Sequence, residues 1–119
     1  METRQTAEAF SSHRFTEVYD RLADGVRWVL PGQATIQGRT AVIAACEAAA
    51  GEFAQLAGTD TLRFLSVADD GTAAVDATMR YRSPDGSASV VSSADIYEFD
   101  ERGLLITITS YAVELGQES

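Results

Sequence analysis

A chain of 119 residues with 18 acidic and 9 basic side chains carries a formal charge of −9, which argues against nucleic acid or an anionic membrane surface as partner, since both need a concentrated basic footprint. All nine basic residues are arginine and His13 is the only histidine, so Schiff-base chemistry at lysine and a multi-histidine zinc or iron centre are excluded by count, and no cofactor is implied. The longest uncharged stretches, 28–38 and 103–113, fall short of the ~18 apolar residues of a membrane span, and the lone Cys46 cannot close an internal disulfide, so the composition predicts one cytoplasmic domain over residues 1–119.

In chain order, residues 3–12 predict a short helix and Phe15–Ala23 a second, with Phe15, Val18, Tyr19 and Leu22 at helical spacing and His13 at the junction. Asp24-Gly25 ends that helix. Val26–Leu30 reads as a short strand stopped by Pro31-Gly32. An alanine-rich helix follows over Arg39–Leu56, with Thr40 placed to cap it and Val42, Cys46, Ala49, Phe53 and Leu56 forming the stripe that lies across a sheet. Alternating patterns then mark strands at Thr61–Ala68, Thr72–Arg82, Ser87–Phe99 and Leu104–Val113. Asp69-Asp70-Gly71, Ser83-Pro84-Asp85-Gly86 and Asp100–Gly103 supply the turns. Residues 1–3 and the polar tail 114–119 are expected to fray.

Helices followed by an antiparallel meander imply an α+β fold: a curved, mainly antiparallel sheet wrapped around the long helix, with the N-terminal helices closing a cone that holds one pocket. Pairing the long strands about their turns collects Val75, Ala77, Met79, Tyr81, Val91, Ser93, Asp95, Tyr97, Ile106, Ile108, Ser110 and Ala112 on one face, a lining with few polar groups. The opposite face gathers Val90, Ile96, Tyr111 and Val113 among threonines and serines. That surface is too apolar to leave wholly in water, which predicts a homodimer through the outer sheet face.

The segment Ser93-Ala94-Asp95-Ile96-Tyr97-Glu98-Phe99, closed by the turn glycine Gly103, resembles the C-terminal hairpin of ketosteroid isomerases and of the wider nuclear-transport-factor-two-like (SnoaL-like) superfamily. There an acidic residue precedes an aromatic-x-aromatic pair and a turn glycine. The short strand, Pro-Gly loop and long helix from Gly38 resemble the same superfamily. The resemblance implies the cone-shaped fold, and it places Asp95 where ketosteroid isomerases carry the acid of their oxyanion hole. Other parts of that machinery differ: the position of the family's base is Leu30, and the first helix has no tyrosine around Gln5 and Thr6. The Asp-Arg-Asp set of limonene-epoxide-hydrolase-like members is incomplete as well, with Ser93 and Ser110 at the positions of its arginine and second acid.

Asp95 is the candidate catalytic residue, because a carboxyl group among Tyr97, Ile106, Ile108 and Met79 loses hydration and becomes a potential hydrogen-bond donor or proton-transfer group. Tyr19, Trp28, Met79, Ser93, Tyr97 and Ser110 are the candidate ligand-binding residues, and the expected partner is an apolar small molecule. His13 could reach the pocket mouth as a general base, but at a helix junction it reads rather as a cap or surface residue, and Cys46 reads as a small buried one. Two functions fit: a cofactor-free isomerase or cyclase working by proton transfer, or a non-catalytic ligand-binding or scaffold dimer module.

Overall fold

The computed structural model describes residues 1–118. Helix α1, Thr3–Ser11, starts at once: the Gln5 side chain accepts the Glu2 backbone N–H at 2.9 Å, and Thr6, Ala7, Phe10 and Ser11 form its buried face. The helix stops where His13, with φ of 65°, donates its N–H to Phe10 O and Arg14 donates to Ala9 O. This is a Schellman arrangement with histidine at the left-handed position that glycine usually fills.

The second helix expected over Phe15–Ala23 is replaced by two 3-10 turns, Phe15–Glu17 and Tyr19–Arg21, after which strand β1 runs Leu22–Leu30. The reason is tertiary. Phe15, Val18 and Leu22 are all buried, as helical spacing would have them, but Leu22 already belongs to the sheet, in register with Leu105. Pro31-Gly32 turns the chain into β2, Ala34–Gln37, a short strand in a stretch where the sequence predicts no element. Helix α2 spans Arg39–Phe53 and is capped by Gly38 at φ 95°, so Thr40 lies inside the helix rather than at its cap.

Four strands follow: β3 Gly58–Asp69, β4 Thr72–Arg82, β5 Ala88–Phe99 and β6 Leu105–Glu118. The six strands form one curved, open sheet in the order β2-β1-β6-β5-β4-β3, antiparallel except where β1 meets β6. Helix α1 packs against β3, β4 and β5, and α2 covers β1 and β2. The core between them is built on Phe10, Val18, Val42, Cys46, Tyr97, Leu105 and Ile108. The tail expected to fray from residue 114 is ordered: Glu114, Gly116, Gln117 and Glu118 pair with β5, and Ser119 lies outside the described residues.

One face assignment is corrected. Phe99 pairs with Leu105 and Glu98 with Thr107, which leaves Ile106 unpaired in a bulge. Leu105 therefore turns into the core, and Ile106, expected on the inner face, is 39% exposed. On the outer face the register aligns Val67, Ala74 and Ile96 in one row, and Leu65, Asp76, Ala94 and Tyr111 in the next. No helix among the described residues is long and apolar enough to cross a membrane.

Candidate functional site

The inner face of the sheet, the C-terminal end of α1 and the last turns of α2 enclose a cavity of about 210 Å³. Strand parity delivers most of its wall: Met79 and Tyr81 from β4, Val91, Ser93 and Asp95 from β5, Ser110 from β6 and Trp28 from β1. Helix α1 adds Phe10 and Ser11, and α2 adds Ala49 and Phe53. A more open depression of about 560 Å³ borders Asp24, Gln37 and Arg39 at the start of α2, but its residues are exposed or half-buried. The cone interior is the better candidate because it combines enclosure, an apolar lining and a buried acid.

Asp95 is 8% exposed and is held by a directed relay. Ser11 Oγ donates to Asp95 Oδ2 at 2.8 Å and lies 2.5 Å from the Tyr97 hydroxyl. A serine hydroxyl has one hydrogen, and Asp95 receives it, so Tyr97 is the donor to Ser11. The order is Tyr97 to Ser11 to Asp95, each bond polarising the next. Burial, then the charge of Asp95, push the Tyr97 hydroxyl well above its usual range, which keeps it a donor.

At the rim, His13 stacks on Phe53 with ring centres 4.2 Å apart, and its Nε2 lies 3.1 Å from the Tyr81 hydroxyl. Burial pulls the imidazole below its ordinary 6.5, with the charge of Asp95 opposing. Burial and Asp95 together raise the Tyr81 hydroxyl. Opposite in sequence, Trp28 Nε1 donates to Ser110 Oγ at 2.9 Å, leaving the serine hydrogen free to serve a ligand.

Of the residues singled out from sequence, Asp95, Trp28, Met79, Ser93 and Ser110 line the cavity. Tyr97 does not: it is wholly buried behind the wall, bonded to Ser11 and close enough to Asp95 to feel its charge. Tyr19 is also misplaced. Its ring packs on the core outside the cavity and its carbonyl accepts Arg39 Nη2 at 3.0 Å, because the 3-10 turn points it away from the direction a helix would have given. Leu30, at the place of the family's base, is an apolar part of the wall. Ser11 and Phe53 carry no site signal in the sequence, whereas His13, for which a cap or surface role is the stronger expectation, lines the cavity. Ser11 meets its partners across sequence separations of 84 and 86, which no local pattern encodes. Tyr81 was placed on the inner face by parity, and its partnership with His13 was the hidden part.

The described residues contain no group of three histidine, cysteine, aspartate or glutamate side chains arranged to hold a metal. The sequence matches the family model of the SnoaL-like domain over residues 3–108. No curated protein gives a significant match. Among solved structures, an NTF2-like protein of unknown function from Cytophaga hutchinsonii is 26% identical, with 93% of this chain and 99% of that one covered and a TM-score of 0.77. A proposed isomerase of the SnoaL-like family from Agrobacterium tumefaciens is 20% identical over 93% of this chain and 94% of its own, at a TM-score of 0.65. A proposed SnoaL-like polyketide cyclase from a Jannaschia species is 14% identical over 92% and 84%, at 0.70. Family match, sheet order and cone agree, and the chain belongs to the SnoaL-like domain family.

Proposed function

We propose that this protein takes a compact, largely apolar small molecule into its cone and moves a proton on it through Asp95, without a cofactor, as an isomerase or cyclase does. The observation that carries this reading is Asp95 itself, a carboxyl group fixed by the Ser11–Tyr97 relay in the wall of a largely apolar cavity. Desolvation and fixed orientation are what make a carboxylate an effective base toward a weak carbon acid. Ser110 and the Tyr81–His13 pair supply hydroxyl and imidazole groups to orient the ligand. The names given to two similar structures, isomerase and polyketide cyclase, point to the same class of chemistry.

The test uses a compact neutral carbon acid, nitrobenzisoxazole, whose ring opens to a coloured phenolate once a base removes its C–H proton. Turnover above that of free acetate, falling about a hundredfold in Asp95→Asn, is the expected result. A rate no better than acetate in the native protein overturns proton transfer and leaves a ligand-binding module.

The second part of the reading is assembly. The outer face carries Leu65, Val67, Tyr111 and Val113, all exposed, around a shallow hollow floored by Ala74, Ala94 and Ile96. A two-fold partner presenting the same rows covers this patch with itself.

A further inference from the structure

The cone contains a charge and no counter-charge. Asp95 is 8% exposed, and its carboxylate accepts a single side-chain hydrogen bond, from Ser11. A buried carboxylate needs a cation or a full set of donors. The chain has no lysine, and none of its nine arginines lines the cavity. Arg14, Arg63, Arg80 and Arg82 pair with carboxylates elsewhere, and Arg4 and Arg39 donate to backbone carbonyls. His13, the remaining candidate, is disfavoured as a cation by its own burial. Much of the wall is aromatic, with Phe10, Trp28, Phe53 and Tyr81 contributing rings, and aromatic faces attract cations as well as apolar groups. A formal charge of −9 further favours approach of a positive ligand.

We infer that the ligand is a largely apolar molecule bearing one cationic nitrogen, which pairs with Asp95 while its skeleton packs on the aromatic wall. The inference rests on the pocket reading above and gives it a substrate class. It also fits the proton transfer, with iminium-type substrates as the reactive case. The carboxylate takes a proton from the carbon next to the C=N⁺ bond, the C–H electron pair becomes the enamine C=C, and the C=N π pair returns to nitrogen. Both partners end neutral, so charge disappears inside an apolar cavity instead of being separated there.

The experiment is a titration of the whole protein at neutral pH and physiological salt, with benzylammonium and its near-isosteric neutral counterpart benzyl alcohol, read from the Trp28 indole and Asp95 amide NMR signals. Binding of the cation at least about tenfold tighter than the alcohol, with the preference erased in Asp95→Asn, supports the inference. Phe53→Leu, a change at the rim, serves as a second variant and weakens the cation more than the alcohol. Equal affinities, or a preference that survives in Asp95→Asn, overturn the cationic ligand and leave the pocket reading standing. If neither probe binds, the pocket reading falls with it.

Discussion

The Ser11 hydroxyl stands between two buried groups that both depend on it, giving its hydrogen to Asp95 and accepting that of Tyr97. Ser11→Ala strands the Tyr97 hydroxyl and one carboxylate oxygen together, at an expected loss of about 2 kcal/mol in denaturant unfolding, more than one average hydrogen bond is worth. Ser11→Ala combined with Tyr97→Phe recovers part of that loss, since the orphaned hydroxyl goes with its ring. His13 is the other residue set by its surroundings. It occupies a left-handed conformation that costs a side chain about 1 kcal/mol or more, and it does so against Phe53 and Tyr81 on one side and the charge of Asp95 on the other. Its folded pKa lies below the 6.5 of a free imidazole, so the unfolded chain binds its proton first. Stability from this group is complete above 6.5 and declines as pH falls from there toward the folded value. His13→Asn, which tolerates the same backbone, is expected to flatten the stability profile in that window when unfolding is followed at stepped pH.

At the scale of elements, β6 is longer than its apolar pattern suggests, and its polar end has a structural role. Residues 114–118 continue the ladder with Ala88–Val91, and Glu118 reaches Arg80 at 3.0 Å. Deleting residues 114–119 is expected to lower stability by about 2 kcal/mol, two or three ladder bonds at the usual net value. Amide exchange should quicken at Ala88–Val91 and leave Tyr97–Phe99 protected. Most of this architecture was legible, because β4 alternates cleanly, β5 alternates over its Asp95–Phe99 end, and α2 carries an apolar stripe after a glycine start. What was illegible had physical causes. A polar strand end gives no alternation signal, the bulge at Ile106 reverses parity by one residue, and the turns at 15–21 satisfy helical spacing while the sheet claims Leu22. Likewise Asp95 could be read from its strand, whereas Ser11 and His13 reach the cavity only because α1 packs across β4 and β5.

At the scale of the whole molecule, the outer face of the sheet is the largest apolar surface left to solvent. Tyr111 is 52% exposed on β6, at the far end of the row that begins with Leu65 on β3, and Val67 and Val113 are exposed on the same two strands. A dimer mass by light scattering at micromolar concentration is the expected outcome, and Tyr111→Arg, which places like charges across a two-fold axis, is expected to shift it toward monomer without changing the cavity. A monomer mass insensitive to concentration in the native protein removes the assembly reading.

The parallel seam between β1 and β6 has a further consequence, for the order in which the protein is made. The β1–β2 hairpin has no other neighbour in the sheet, so Leu22 and Trp28 must wait for Leu105 and Ile108 before their strand is secured. During synthesis from the N-terminus, the meander β3–β4–β5 forms from neighbours already emerged, while the first hairpin keeps one edge of β1 unpaired until the last strand leaves the ribosome. The half of the cone translated first is thus completed last, and a stalled or shortened chain presents the Trp28 strand as a free, apolar edge.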